Sequence, residues 1–214
     1  MTITTGLLGG SFNPAHRGHR RISMHALEAL GLDEMWWLVS PGNPLKPKAG
    51  MAPLPARYRS ALRAARGFPI RPTAIETQLG SPYTYDTLLA LTRRYPKRRF
   101  VWIMGSDNLL QFHRWREWRR IARLVPIAVV ARPGYDGDAR AARAMGWLRR
   151  FVRPAAAAAE WTRWRPPALV FLQLPLDPTS ATGIRAACPD WHQSPHHSFN
   201  PKALRDRVTR KAVR

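Results

Sequence analysis

An α/β fold, with a mostly parallel sheet and helices on both faces, is what this chain predicts, and three observations carry the prediction. Short apolar runs alternate with helical patterns along most of the 214 residues, the order that builds strand–helix–strand units. Segments rich in glycine, proline or both (9–19, 40–48 and 105–107) follow three of the apolar runs. Open parallel sheets hold ligands at such places, beyond the carboxyl ends of their strands. Hydrophobic residues make up 45% of the chain, enough for a substantial core.

Taken in order, the run 3–8 reads as a buried strand ending in a glycine turn. Residues 17–30 carry Ile22, Ala26, Ala29 and Leu30 in a helical pattern and stop at Gly31. A second strand is expected over 35–39, and breakers make 40–55 a loop. A helix follows over 56–66, a strand over 70–76, and a helix over 84–95 that Pro96 ends. Residues 99–104 form the next strand, and Gly105-Ser106-Asp107 turns the chain directly after it. Helices are expected over 108–112 and 115–124, then a strand over 127–131 that Arg132-Pro133-Gly134 closes. Helical character returns over 139–151, the alanine run 155–159 is helix or linker, 169–174 is a late strand, and 180–187 opens the last helix. Residues 1–188 thus read as one domain. Residues 189–214 mix Pro, His, Lys and Arg with little apolar content and are expected to be a poorly ordered basic tail.

Composition narrows the class further. No apolar run approaches the roughly 20 residues that cross a membrane, and the amino terminus lacks the basic segment of a secretory signal. The lone cysteine, Cys188, excludes an internal disulfide framework and fits a reducing cytosol, so a cytoplasmic protein is expected. The net charge of +22, with 13 acidic residues against 35 basic ones, admits two readings. One is binding of a polyanion, either nucleic acid or a phosphorylated substrate. The other is an arginine-rich codon bias that coats a solvated surface, with non-specific nucleic-acid affinity as a by-product. The arginines are scattered along the chain, which favours the second. Cys188, His192, His196 and His197 have a spacing that a zinc ion tolerates, but clusters of this kind in a proline-rich tail are more often incidental, so no metal site is assigned.

The stretch Gly9-Gly10-Ser11-Phe12-Asn13-Pro14-Ala15-His16-Arg17-Gly18-His19 carries the most chemistry. Glycines let backbone approach a ligand, and a helix amino terminus directs N–H groups at anions. His16 and His19, three residues apart, share a helix face and reach one phosphate together. The pattern is neither the dinucleotide glycine fingerprint nor a P-loop. It points to a nucleoside triphosphate held for attack at phosphorus. The other reading is a glycine turn followed by two surface histidines.

Gly-Ser-Phe-Asn-Pro-x-His-x-Gly-His resembles the signature of the nucleotidyltransferase superfamily. Further segments resemble one of its families, the bacterial nicotinate-nucleotide adenylyltransferases. They are Pro41-Gly42-Asn43-Pro44-Leu45-Lys46, Ser81-Pro82-Tyr83-Thr84-Tyr85-Asp86-Thr87-Leu88, Gly105-Ser106-Asp107-Asn108-Leu109 with Trp115, Arg132-Pro133-Gly134, and Ser180-Ala181-Thr182-Gly183-Ile184-Arg185. The resemblance implies a Rossmann-like nucleotidyltransferase fold. It also implies a reaction of NAD biosynthesis: ATP plus nicotinate mononucleotide gives nicotinate adenine dinucleotide and pyrophosphate, with Mg2+ accompanying ATP.

Roles follow from the resemblance. His16 and His19 donate to the ATP phosphates, His19 nearest the α-phosphate, and Arg185 clamps the β- and γ-phosphates. Gly9, Gly10, Ser11, Phe12 and Gly105 lie along the phosphate-binding backbone, with Ser180 and Thr182 adding donors at the last helix. Alone, that last segment reads as an ordinary helix cap. Lys46 reaches a phosphate or is a solvated loop lysine, and Arg132 lies near the adenine pocket. Asn43 belongs to the substrate loop. Asp107 accepts from a ribose hydroxyl, caps a helix, or does both. Trp115 stacks on the pyridine ring, and the backbone at Thr84 and Tyr85 reads the nicotinate carboxylate. No carboxylate cluster offers a protein cage for Mg2+. The amide mononucleotide, alone or together with the acid, is the alternative substrate. A catalytically inactive nucleic-acid-binding protein on the same fold is the alternative from another class. The tail departs from the family's usual apolar continuation at Cys188-Pro189-Asp190-Trp191, and Gly183 loosens the backbone beside the motif arginine. Oligomeric state stays open, a homo-oligomer included.

Overall fold

Apolar runs without polar alternation become strands buried on both faces, and the patterned runs between them become helices. In chain order the computed structural model has β1 (Ile3–Gly10), α1 (Arg17–Leu30), β2 (Glu34–Val39), α2 (Leu54–Ala64), β3 (Ile70–Thr73), α3 (Glu76–Leu79), α4 (Thr84–Arg94) and β4 (Arg98–Gly105). There follow α5 (Ser106–Gln111), α6 (Trp118–Leu124), β5 (Ile127–Ala131), α7 (Asp136–Ala141), α8 (Met145–Leu148), β6 (Val152–Arg153), β7 (Leu169–Gln173) and α9 (Ala181–Ala187). The structure describes residues 2–42, 50–131, 136–174, 179–193 and 204–213.

Seven strands form one parallel sheet in the order β3-β2-β1-β4-β5-β7-β6. The order changes direction beside β1, the strand whose carboxyl end carries Gly9 and Gly10. Such a reversal is where open α/β sheets place their ligands. Every residue of β2 is buried, as is β4 from Phe100 onward. Contacts divide the chain into two units, each discontinuous in sequence.

The first unit comprises Met1–Leu8, Ile22–Met35 and Tyr83–Leu176. Its register sets Ile3–Leu8 of β1 beside Arg98–Ile103 of β4, and Ile127 beside both Trp102 and Leu169. Arg98 pairs with the buried carboxylate of Glu34 and donates to Thr5 Oγ1 at 2.9 Å. Of the two readings of the alanine run, helix is the one found, in 3-10 form over Ala155–Arg163. Trp161 pins it by donating from Nε1 to the Leu30 carbonyl at 2.9 Å. The helix expected over 115–124 starts only at Trp118, because Glu117 takes a left-handed conformation, φ 56°. The helix expected over 139–151 is divided into α7, α8 and a 3-10 turn.

The second unit comprises Gly9–Arg21, Trp36–Pro82 and Asp177–Arg214. Within it, residues 204–213 of the basic tail make specific contacts. Arg205 and Ala212 form an antiparallel bridge, and the flanking Leu204 and Val213 are buried. The cause is one carboxylate. Asp206, 1% exposed, accepts from Thr73 Oγ1 at 3.0 Å and from the amides of Ala74, Val208 and Thr209 at 2.6, 2.8 and 2.8 Å. A buried carboxylate is stable only when so satisfied. Tyr58 adds a second tie, its hydroxyl accepting from the Arg207 amide at 2.8 Å. Burial and the Asp206 charge push the Tyr58 phenol above its ordinary pKa. Nearer the start of the tail, Trp191 is buried as well. His196 and His197 lie outside the described residues. No helix among the described residues is long and apolar enough to cross a membrane.

Candidate active site

The second unit builds its centre from the loop after β1. Phe12 adopts φ 48° and is 1% exposed. It stacks on Trp37 of β2 with ring centroids 5.0 Å apart and leans on the His19 ring at 4.8 Å. Left-handed backbone is costly for an aromatic residue, and this three-ring contact is what repays the strain. Asn13, also buried, uses its side chain to hold a distant segment: Nδ2 donates to the Gly50 carbonyl at 2.8 Å and Oδ1 accepts from the Ala52 amide at 3.2 Å. Ser60 Oγ accepts from the Ala15 amide at 2.9 Å.

The two histidines meet at the start of α1, ring centroids 4.0 Å apart. The Gly18 amide donates to His16 Nδ1 at 3.1 Å, and the His16 amide donates to His19 Nδ1 at 3.3 Å. A ring nitrogen that accepts carries no proton, so each neutral imidazole bears its hydrogen on Nε2. Backbone geometry thus makes both rings Nε2 donors. It also explains the glycine between them. A Cβ at Gly18 would lie 2.9 Å from His16 Cε1, 3.0 Å from His16 Nδ1 and 3.2 Å from the Thr179 carbonyl oxygen.

Arg185 joins the same cluster. Its Nη1 donates to the Asn13 carbonyl at 2.7 Å and its Nη2 to Thr182 Oγ1 at 3.3 Å. Ser180 caps α9 by accepting from the Gly183 amide at 3.0 Å. An added Cβ at Gly183 would lie 3.3 Å from Ser180 Oγ, so a glycine here leaves room for that cap. Gly9 and Gly10 end β1, and the Gly10 carbonyl accepts from the Ser40 amide at 3.0 Å.

Sequence reasoning missed Arg57. This arginine on α2 is 1% exposed and bonds only backbone carbonyls. Nη1 donates to Ser11 and to Ser40, each at 2.7 Å, and Nε donates to Ala52 at 2.8 Å. Nη2 lies 3.4 Å from the Pro41 carbonyl. One planar guanidinium therefore ties together the loops that follow β1 and β2. Burial pulls its pKa down to about 10, which leaves it a cation at neutral pH. The only sequence signal is a charged residue beside Tyr58 and Ala61 on the buried face of α2.

The first unit holds the remaining described candidates. Thr84 and Tyr85 are the first residues of α4, and no side chain caps that helix. The leading amides of a helix lack intrahelical acceptors and favour an anion. The Arg120 guanidinium lies 4.5 Å over the Tyr85 ring. Gly105 is the N-cap of α5, so Asp107 sits in the first turn, not at the cap. Trp115 is half-buried, with its ring set edge-on against Trp102 at 6.2 Å and Phe112 at 5.4 Å. Asn43, Lys46 and Arg132 lie outside the described residues.

Comparison with known proteins places the chain in a family. Residues 7–187 match the family model described as cytidylyltransferase-like. The chain is 60% identical over 212 residues to a protein of Erythrobacter litoralis named "Probable nicotinate-nucleotide adenylyltransferase", covering 99% of this chain and 95% of that one. A Cereibacter sphaeroides protein of the same name is 51% identical over 184 residues, 86% of this chain and 97% of that one. Among solved structures, Plasmodium falciparum nicotinic acid mononucleotide adenylyltransferase complexed with NaAD has the same fold, with a TM-score of 0.65 at 16% identity. The match covers 86% of this chain and 83% of that one.

Proposed function

The chain belongs to the nicotinate-nucleotide adenylyltransferase family of cytidylyltransferase-like proteins, and we propose that it transfers the adenylyl group of ATP to nicotinate mononucleotide. A 5′-phosphate oxygen of the mononucleotide attacks the α-phosphorus of ATP. The bond from that phosphorus to the bridging oxygen breaks, and pyrophosphate leaves with the electron pair. The attacking phosphate is already ionised, so no protein base or nucleophile is required. Catalysis reduces to positioning and charge stabilisation.

The observation that carries this reading is the imidazole pair whose Nδ1 atoms are both held by backbone amides. Two Nε2 donors fixed 4.0 Å apart by ring centroid suit neighbouring phosphate oxygens. His19 serves the α-phosphate and His16 the adjoining one. Arg185, oriented by the Asn13 carbonyl, clamps the β- and γ-phosphates and steadies departing pyrophosphate. Arg57 keeps the backbone of Ser11 and Ser40 in place for the same phosphates. Asp107 accepts from ribose, Trp115 stacks on the pyridine ring, and the opening amides of α4 favour the substrate's carboxylate over the amide form.

The donors of this cluster do not suit a resident metal. Both Nδ1 atoms are occupied, the third member is a guanidinium, and among the described residues no group of three His, Cys, Asp or Glu is arranged to hold an ion. Mg2+ would arrive with ATP and be held by phosphates and water. The test is pyrophosphate release with ATP and Mg2+, comparing nicotinate with nicotinamide mononucleotide, with His19→Ala as control. Release favouring the acid and lost in the variant is expected. Equal rates would remove the specificity assigned to α4, and no release with either would remove the activity.

A further inference from the structure

The second unit carries another cationic feature, separate from the histidine cluster. A concavity of about 560 Å³ is lined by Arg63, Arg66, Arg71, Arg207 and Arg210. None of its lining residues is acidic, and the rest of the lining is aliphatic or glycine, with no aromatic face. All five arginines are exposed. They come from three segments: Arg63 from the last turn of α2, Arg66 and Arg71 from the chain around the start of β3, and Arg207 and Arg210 from the carboxyl-terminal turn.

Like charges do not gather without a holding force. Here the force is Asp206, whose carboxylate is bonded to Thr73 and Ala74 and to the turn amides of Val208 and Thr209. The Arg210 amide in turn donates to the Asp206 carbonyl at 3.1 Å. The anchor fixes Arg207 and Arg210 on the same concavity as Arg63, Arg66 and Arg71, so that like charges face one another there. An anionic partner reverses the sign of that interaction.

We propose that this five-arginine concavity binds the phosphate backbone of nucleic acid, without reading its sequence. Guanidinium groups suit phosphate oxygens. The absence of an aromatic lining leaves no platform on which a base would stack, so binding follows charge and not sequence.

The test is fluorescence anisotropy with a fluorescein-labelled, mixed-sequence, single-stranded RNA of 20 nucleotides, titrated at several NaCl concentrations. Arg207→Ser with Arg210→Ser is expected to weaken binding at least tenfold. It should also flatten the slope of log K against log salt by about 1.4, two contacts at roughly 0.7 each. Arg66→Ser with Arg71→Ser, on other segments, should do the same. Arg93→Ser with Arg94→Ser, an equal loss of charge at the end of α4, should leave the slope unchanged. DNA of the same sequence should bind alike. Adenylyl transfer should persist in all three variants, which shows that they fold. Equal weakening by the Arg93/Arg94 variant would overturn the proposal in favour of diffuse net charge. Absence of RNA binding alongside tight binding of inorganic tripolyphosphate would overturn it in favour of a small-anion site, and binding of neither would end it.

Discussion

Gly18→Ala isolates the backbone arrangement that turns two histidines into phosphate donors. The new methyl would stand 2.9 and 3.0 Å from His16 ring atoms and 3.2 Å from the Thr179 carbonyl oxygen, where ordinary contact is 3.4–4 Å. The His16 ring, or residue 179 with the segment that leads into α9, must retreat by about half an ångström. Overpacking of this kind costs about 1–3 kcal/mol, which lowers Tm by roughly 2–10 °C for a chain of this size. Retreat also loosens the Gly18 amide from His16 Nδ1, so the ring loses the contact that fixes its tautomer. A misplacement approaching 1 Å at a reacting phosphate costs on the order of 100-fold. The expected loss in kcat/KM is therefore about 10- to 100-fold, or about 1.4–2.7 kcal/mol of transition-state stabilisation. Pyrophosphate release under varied ATP measures the rate, and a melting curve measures the stability. Gly146→Ala in α8 is the control: its methyl would meet nothing within 4 Å, and a helical Gly-to-Ala change is neutral or stabilising by up to about 1 kcal/mol. Wild-type kcat/KM in Gly18→Ala would refute the argument, because the close approach would then impose no geometry on His16.

Three other outcomes are expected. Arg57→Lys keeps the charge, but one ammonium cannot span the carbonyls of Ser11, Ser40 and Ala52; KM for ATP should rise about tenfold with a lower Tm, and an unchanged KM would contradict the positioning role. Asp206→Ala orphans the donors of Thr73, Ala74, Val208 and Thr209 and should destabilise by roughly 2–4 kcal/mol in a denaturant titration; a change below about 0.5 kcal/mol would mean the carboxyl-terminal turn does not hold the unit. Asp33, exposed beside β1, has its carboxyl held below the ordinary range by the Thr4 amide and hydroxyl, each donating at 2.7 Å. A depressed folded pKa gives stability that is present above the unfolded value of 3.8 and lost as pH falls through the folded one. Asp33→Ala should therefore cost at most about 1 kcal/mol at pH 7, given solvent screening, and the gap to wild type should close below pH 3.8; a gap that widens in acid would reverse the assignment.

The sheet was legible because its strands are apolar without alternation, as Met35–Val39 and Phe100–Met104 are, and because helical spacing bounded α1 at both ends. Boundaries failed where a single residue's backbone decided them. Glu117 in left-handed conformation delays α6 to Trp118, and nothing in the local sequence announces that. The histidine motif was legible as chemistry, but the tautomers were not, since they depend on which amide faces Nδ1. Arg57 was invisible because its partners are carbonyls 46, 17 and 5 residues away. Composition alone did not show how the carboxyl-terminal turn is held. Its one decisive group, Asp206, is ordinary in sequence and acquires meaning only from Thr73, 133 residues distant. The arginines looked scattered for the same reason: Arg63 and Arg210 line one concavity from far-separated parts of the chain.

The central claim is that fixed donors position a single displacement at the α-phosphorus with no covalent protein intermediate. The most direct measurement is the stereochemical course with ATP carrying a chiral α-phosphorothioate. One in-line displacement gives nicotinate adenine dinucleotide with inverted configuration at phosphorus, which the account predicts. Retention would require two displacements through an adenylylated side chain, with His16 and His19 the foremost suspects, and would contradict it.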